Sequence, residues 1–135
     1  MNILILGNGG REHTFCWKLS QSTQQPNLFI APGNAGTAQL GTNIDINPTD
    51  LEAIATAASS HAIDLILVGP EAPLVAGIHD HIANHPTLSH IPVIGPKEEA
   101  AQLEGSKAYI SNVCEEPCVH GLGVARLRLI FIFIP

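Results

Sequence analysis

The residues best suited to chemistry lie in a glycine-rich turn near the start of the chain. Residues 7–13 (GNGGREH) directly follow the apolar run 3–6 (ILIL) and lead into a helical pattern. Such a run is typical of a strand buried on both faces of a parallel sheet, and the glycines allow a sharp turn into a helix N-terminus. Backbone N–H groups at such a turn are a natural seat for phosphate, with Arg11 as a cation beside it. The turn therefore predicts an anion-binding site, and the alternative is a turn whose glycines serve packing alone.

The same turn departs from the pattern that binds dinucleotides. That pattern, Gly-x-Gly-x-x-Gly, requires a glycine where Glu12 stands. It also requires a carboxylate about twenty residues further on to hold a ribose hydroxyl. The next apolar run, 28–31 (LFIA), ends instead in Pro32, Gly33 and Asn34. The turn therefore favours a sugar phosphate or a mononucleotide, and a nicotinamide-dependent oxidoreductase is the less favoured alternative.

Glu71 is the carboxylate that we expect to contact a substrate. It follows the run 64–68 (DLILV) through Gly69 and Pro70, and the end of a parallel strand would direct it to the same edge as the first turn. There it would accept hydrogen bonds from sugar hydroxyls. An equal alternative is an acid at a helix N-terminus, stabilised by the macrodipole by less than about 1 kcal/mol without any ligand. Glu12 has the same ambiguity.

Two groups of residues have the spacing of metal ligands. His81 and His85 would share one helix face, but no His-Glu-x-x-His arrangement accompanies them, so a solvated face is the better interpretation. Cys114, Cys118 and His120 supply three candidate ligands without a clear fourth. We therefore predict no metal site from these residues.

Composition limits the class of protein and its partners. The 135 residues are the size of one domain, and twelve acidic against six basic residues give a net charge of -6. This charge argues against nucleic acid or an anionic membrane as the main partner. Three cysteines and the lack of a signal-peptide pattern predict a cytoplasmic setting. Residues 127–134 are apolar apart from Arg128, and they are fewer than the roughly eighteen that a membrane span needs.

Strand and helix patterns alternate along most of the chain. Strands are predicted over residues 3–6, 28–31, 64–68 and 91–94, with a short edge strand over 43–46. Helices are predicted over residues 11–22, from Pro48 or Thr49 to 60, from the turn after 69 to about 84, and over 97–103. This order implies an α/β fold, an open parallel sheet with helices on both faces. Four glycine-containing turns would then meet at the carboxyl edge of the sheet, where such folds bind ligands.

Four segments, taken in order, resemble one known family. They are residues 7–13 (GNGGREH), 31–37 (APGNAGT), 68–75 (VGPEAPLV) and 100–107 (AAQLEGSK). Together they resemble the N-terminal domain of phosphoribosylamine-glycine ligase, also called glycinamide ribonucleotide synthetase. The resemblance covers residues 1–109, and its specificity comes from the order of the four segments, since each of them alone is weak.

The resemblance implies a reaction and a pocket. The family joins glycine to 5-phosphoribosylamine in purine biosynthesis at the expense of ATP, through a glycyl phosphate. Its N-terminal part is a Rossmann-like substrate lobe, whereas ATP and Mg or Mn belong to a following ATP-grasp domain, so neither is expected to bind this chain alone. By this resemblance the chain contributes a pocket for 5-phosphoribosylamine or a related sugar phosphate. The 5-phosphate would lie at Gly7, Asn8, Gly9 and Gly10, with Arg11 and Glu12 beside them. Glu71 would contact the ribose, Asn34 and Gly36 would line the wall, and Lys107 would lie toward nucleotide phosphates.

The resemblance ends shortly after Lys107. Family members continue with a helix and ATP-grasp strands, whereas residues 110–113 here lead to Cys114 and Pro117. Residues 124–135 include an Ile-Phe alternation that is prone to β-pairing. We therefore expect a divergent tail over residues 110–135, no ATP-grasp domain and little stand-alone catalysis. The alternative is a non-catalytic module that binds a sugar phosphate or associates with a full-length enzyme through this tail.

Overall fold

A computed structural model describes the backbone of residues 1–105 and the side chains of residues 1–103. The predictions for Lys107, for the cysteines and histidine of residues 114–120, and for the tail over residues 110–135 lie outside the described residues. Within residues 1–105, no helix has the length and apolar character that crossing a membrane requires.

The centre of the fold is a five-stranded sheet in which every paired strand is parallel to its neighbour. The strands are β1 (Asn2–Gly7), β2 (Asn27–Pro32), β3 (Thr42–Asn43), β4 (Leu65–Val68) and β5 (Val93–Ile94). Their spatial order is β3-β2-β1-β4-β5. The predicted open parallel sheet is confirmed, and its central strand, β1, contains the buried apolar run of residues 3–6.

Five α-helices and one short 3₁₀ turn connect these strands in the described part of the chain. They are α1 (Gly10–Ser20), α2 (Leu51–Ser60), α3 (Glu71–Val75), α4 (Ile78–Ala83) and α5 (Glu98–Gly105), with the 3₁₀ turn at Thr37–Gln39. Alternate residues of β1 point to opposite faces of the sheet. Ile3 and Ile5 pack with Cys16 of α1, whereas Leu4 and Leu6 pack in a larger core with residues of the other four helices. The prediction of helices on both faces is therefore confirmed.

The start of α2 differs from the prediction. We predicted Pro48 or Thr49 as the start signal, but Asp50 is the N-cap because its carboxylate accepts a hydrogen bond from the Ala53 N–H at 3.1 Å. Thr49 lies before the helix, where its N–H and hydroxyl both donate to the Asn47 side chain.

Three other element predictions were wrong in extent. The strand expected over residues 91–94 is only Val93–Ile94. The single helix expected after residue 69 is two helices, because Gly77 between them has a φ of 86°, in the left-handed region that no helical residue adopts. The edge strand expected over residues 43–46 is shorter, and its ladder pairs only Phe29 with Thr42 and Ile30 with Asn43. None of these changes moves a strand out of the sheet, so the carboxyl edge keeps all of its turns.

Candidate functional site

The strand order reverses at β1, and we use the word crevice for the space at the carboxyl edge of the sheet between the turns after β1 and β4. The chain runs from β1 to β2 and β3 on one side and then returns to β4 on the other side of β1. Open α/β sheets bind ligands at such a switch point. The walls of this crevice are the turn after β1, residues 7–10, and the turn after β4, residues 69–71. The prediction that glycine-containing turns meet at one edge is confirmed.

Arg11 connects the two walls. It lies in the first turn of α1 and is exposed, and its Nη1 donates a hydrogen bond to the carbonyl oxygen of Gly69. The Gly69 N–H in turn donates to the Leu6 carbonyl at 3.2 Å, which continues the ladder between β1 and β4. A cation is thus held at the mouth of the crevice, with the rest of its guanidinium available to an anion.

Glu12 fills the space between the walls. Its side chain is buried, with 4% of the residue exposed, and Oε2 accepts a hydrogen bond from the Gly9 N–H at 2.6 Å. This bond is half of a capping box, in which an acid at the third helical position satisfies the N-cap amide. A Cβ at Gly7 would lie 2.7 Å from the Glu12 Cδ, and one at Gly69 would overlap Oε1. Three glycines therefore surround one carboxylate.

The loop after β2 is braced by its own polar side chains. The Asn34 side chain donates to the Asn8 carbonyl at 2.8 Å, and its Oδ1 accepts from the N–H groups of Gly36 and Thr37. Asn34 therefore ties this loop to the glycine turn after β1. Gly36 lies against the His13 ring of α1, where a Cβ would come within 2.9 Å of Cε1.

Asn43 and Thr37 complete this brace, and neither was among the site residues inferred from the sequence. The Thr37 hydroxyl is fully buried, accepts from the Asn34 N–H at 2.7 Å and lies 2.8 Å from Oδ1 of Asn43. Asn43 Nδ2 donates to the Asn34 carbonyl at 2.8 Å. The spacing of Asn34 and Thr37 is a recognisable turn signal, but nothing local marks Asn43, which reaches the loop from β3.

Glu71 is the first residue of α3, directly after the N-cap Pro70, and its side chain is exposed. Within the described residues its carboxylate takes part in no hydrogen bond or ion pair, unlike that of Glu12. The structure therefore separates two acids that the sequence left equally ambiguous. One is engaged by the protein, and the other faces solvent at the rim of the crevice.

Cys16 lies one helical turn beyond Glu12, on the buried side of α1. Burial raises the pKa of its thiol to about 11 from the ordinary 9.0, and the Glu12 carboxylate adds a smaller increase. The thiol is therefore protonated at neutral pH, and it serves packing rather than nucleophilic chemistry.

His81 lies in α4, but that helix ends at Ala83, so His85 follows it and the two histidines do not share a helix face as predicted. His81 and His85 have ring centroids 6.2 Å apart, and Nε2 of His81 lies 3.7 Å from a carboxylate oxygen of Glu52. Among the described side chains, those of residues 1–103, no three of histidine, cysteine, aspartate or glutamate come together as a set of metal ligands.

The fold and the crevice together define a class of protein. An open parallel sheet in the order 3-2-1-4-5, with glycine turns at the switch point, is a Rossmann-like α/β domain with its ligand edge at the carboxyl ends of the strands. Residues 1–104 match the family model described as "Phosphoribosylglycinamide synthetase, N domain". The chain belongs to this family.

Curated relatives and solved structures agree with this assignment. The chain is 46% identical to the phosphoribosylamine–glycine ligase of Rhodopirellula baltica over 112 residues, covering 83% of this chain and 25% of the relative. It is 50% identical to that of Yersinia pestis over 114 residues, covering 83% of this chain and 26% of the relative. Its fold matches the Thermotoga maritima ligase structure with a TM-score of 0.54 and 29% identity, over 85% of this chain and 24% of that one. The phosphoribosylglycinamide synthetase of Anaerococcus prevotii gives a TM-score of 0.60 at 15% identity, over 84% and 28% of the two chains, which supports the fold alone.

The chain therefore spans about a quarter of the length of the curated relatives that it matches. The match covers about 25% of each of these two relatives.

Proposed function

We propose that this chain supplies part of the pocket for 5-phosphoribosylamine in the ATP-dependent joining of glycine to that amine, a step of purine biosynthesis. The observation that carries the proposal is the crevice between the turns after β1 and β4, which Arg11 bridges through its bond to Gly69. The names of the relatives supply the reaction, and the match of residues 1–104 to the N domain of that family is consistent with a role for this region in it.

The phosphate group is proposed to bind at the start of α1. The residues there are Gly7, Asn8, Gly9 and Gly10, and the partial positive charge of a helix N-terminus favours an anion. Because the Gly9 N–H is already bonded to Glu12, the amides proposed to face the phosphate are those of Asn8 and Gly10. Arg11 adds charge-assisted hydrogen bonds from the part of its guanidinium not bonded to Gly69.

The sugar is proposed to lie toward the turn after β4. Glu71 is exposed at the start of α3, so accepting hydrogen bonds from ribose hydroxyls requires no protein bond to be broken. Asn34 and Gly36 are proposed to form the opposite wall, since the loop that carries them is tied to Asn8. The rigidity of that loop would reduce the ordering cost of binding.

ATP and its metal ion are proposed to be bound outside residues 1–105. The described residues bring together no set of three metal-ligating side chains, and Lys107 lies outside the described part of the chain. The chain alone is therefore proposed to bind the sugar phosphate without turning over ATP, which is also the expectation for a non-catalytic binding module.

The proposal is tested by calorimetric titration of the full chain with ribose 5-phosphate, ribose and ATP. We expect saturable binding of ribose 5-phosphate, binding of ribose at least about tenfold weaker, and no saturable binding of ATP. The variant Arg11→Gln should lose about tenfold in affinity for ribose 5-phosphate because a charge-assisted contact is removed.

Lys18→Gln is the matched control, since Lys18 is an exposed cation in the last turn of the same helix and its loss changes net charge equally. Its affinity should stay within about twofold of the unmodified chain. A folded chain that binds neither sugar would contradict the proposal, and ATP binding would contradict the assignment of ATP to other residues.

A further inference from the structure

We propose that Glu12 is a specificity-determining residue of this edge, whose side chain fills the part of the crevice that a diphosphate would need. The crevice would then accept a ligand with a single phosphate group and reject dinucleotides. This inference rests on the proposed function for the identity of the ligand, a sugar monophosphate. The claim that the Glu12 side chain excludes a diphosphate can be tested separately.

The position of Glu12 in the turn carries the first step. In the Gly-x-Gly-x-x-Gly arrangement, the second glycine lets the backbone approach the pyrophosphate, and the third lets the helix pack closely on the strand. Gly7 and Gly9 stand at the first two positions, and Glu12 stands at the third. Gly7 has a φ of 121°, in the left-handed region that favours glycine, and the pattern differs from the dinucleotide turn at the position of Glu12.

The contacts of that side chain carry the second step. The N–H of Gly9, at the position where a pyrophosphate would approach, donates instead to Oε2 of Glu12 at 2.6 Å. The other carboxylate oxygen lies so close to Gly69 that even a methyl group there would overlap it. The Glu12 side chain therefore occupies the Gly9 N–H and the space between the two turns, so neither is available to a diphosphate.

Burial of Glu12 carries the third step. Only 4% of the residue is exposed, and its hydrogen bond to Gly9 and its three glycine neighbours hold the carboxylate in place. A ligand would have to break that bond and expel a buried charge to reach the Gly9 amide, which is a large cost. The outer amides of Asn8 and Gly10, on exposed residues, carry no such cost.

The test compares ribose 5-phosphate with ADP-ribose, whose sugar is joined through a diphosphate. The proteins are the full chain, Glu12→Gly, which restores the third glycine, Glu12→Ala as a second opening variant, and Glu12→Gln as the control of equal size. Circular dichroism and urea unfolding establish that each variant folds. The readout is the ratio of the affinities for ADP-ribose and ribose 5-phosphate in each protein. No carboxylate follows β2 to hold the adenosine ribose, and this weakens the binding of ADP-ribose equally in all four proteins, so differences between their ratios report on residue 12.

We expect the unmodified chain to reject ADP-ribose, and Glu12→Gly or Glu12→Ala to gain at least about tenfold in relative affinity for it. Glu12→Gln should keep the rejection within about threefold, because its amide fills the same volume and its oxygen can still accept from Gly9. An unmodified chain that binds ADP-ribose as well as ribose 5-phosphate overturns the inference, even if no opening variant folds. So does a folded opening variant with an unchanged ratio, or a Gln variant that gains as much as the Gly variant.

The two proposals fail in different ways. Failure of the unmodified chain to bind ribose 5-phosphate removes the proposed function, whereas a gain of ADP-ribose binding on opening the crevice would still establish the steric role of Glu12. Binding of ribose 5-phosphate with no change in selectivity across the variants removes the role of Glu12 alone.

Discussion

The two halves of the carboxyl edge are held together by different means. On the β1–β4 side, three glycines pack around the buried carboxylate of Glu12, and Arg11 joins the turns. On the β2–β3 side, the loop is fixed by a network among the side chains of Asn34, Thr37 and Asn43. The first half depends on the absence of side chains around one charge, and the second depends on hydrogen bonds between side chains.

Both halves are closely packed, since a Cβ at Gly69 would overlap Oε1 of Glu12 and one at Gly33 would overlap Oδ1 of Asn43. The difference between the halves lies in how much each should suffer from lost polarity. Packing around a buried group has no free space to accept a methyl group. A hydrogen-bond network keeps its shape if volume is conserved, but it leaves buried donors unsatisfied if a hydroxyl is lost. Loss of a hydroxyl should therefore destabilise the β2–β3 half through an unsatisfied donor, and an added methyl group at Gly69 should destabilise the β1–β4 half through overlap with Glu12.

The largest effect is expected from Gly69→Ala. The new Cβ would overlap Oε1 of Glu12, so we expect the free energy of unfolding to fall by about 3 kcal/mol, measured by urea denaturation. Gly10→Ala is the matched control, because a Cβ at Gly10 meets no atom within 4 Å. It should be neutral or stabilising by up to about 1 kcal/mol, as for other glycines replaced in helices.

A second background locates the cause of this loss. In Glu12→Ala, the addition of Gly69→Ala should cost less than about 1 kcal/mol, because the overlapping atoms are gone. An equal loss in both backgrounds would show that Gly69 is required for a reason other than its contact with Glu12.

On the other half of the edge, Thr37→Val should cost about 2 kcal/mol in unfolding free energy. The valine conserves volume but leaves the Asn34 N–H without the acceptor that it has at 2.7 Å. Thr56→Val is the control, since Thr56 is exposed on α2, and it should change stability by no more than about 0.5 kcal/mol. Equal losses of unfolding free energy in the two variants would show that the hydrogen bonds of Thr37 do not stabilise this loop.

A smaller effect, on binding alone, is expected from Glu71→Gln. Affinity for ribose 5-phosphate should fall about tenfold, because a charged acceptor of sugar hydroxyls is lost, while stability stays within about 0.5 kcal/mol. Asp64→Asn removes the same charge at the opposite edge, where Asp64 precedes β4 and accepts from the Asn2 N–H. If both variants weaken binding equally, the effect comes from net charge and not from a contact of Glu71.

The smallest effect concerns Cys16 on the β1–β4 side. Its thiol has a pKa raised to about 11, mainly by burial and to a lesser extent by Glu12. The folded state therefore holds this proton more tightly than the unfolded state, so the contribution of Cys16 to stability should be constant below pH 9 and be lost between pH 9 and pH 11. Thiolate absorbance in a Cys114→Ser/Cys118→Ser chain should give the pKa directly, and Glu12→Gln should lower it by less than about one unit. An unchanged pKa in that variant would place the carboxylate farther from Cys16.

Much of the fold followed from local patterns in the sequence. The apolar runs identified the long strands, and the glycine turns identified the edge where they end. The limits of α2 were less clear, because Pro48, Thr49 and Asp50 are all residues that begin helices, and only the bond to Ala53 selects Asp50. The break at Gly77 was missed because one glycine in a helical pattern is usually tolerated.

The sequence predicted some residues of the candidate site and missed others, and the residues that it missed are held by partners distant in sequence. Glu12 was recognised as a departure from a dinucleotide turn, but its burial depends on Gly69, which is distant in sequence. Asn43 had no local signal at all, since its partners lie in a loop that ends six residues earlier. Contacts between separate turns follow from the sheet order, and the sheet order follows from the packing of the whole chain.

The most direct measurement is an NMR titration of the isotope-labelled full chain with ribose 5-phosphate, recording each backbone amide. The account predicts saturable shifts at the carboxyl edge, at Asn8, Gly10, Asn34 and Glu71, with the amides of Asn2, Asn27 and Asp64 at the amino edge unchanged. Shifts centred on the amino edge, or no saturable shift from a folded chain, would contradict the assignment of a sugar-phosphate site to the crevice between β1 and β4.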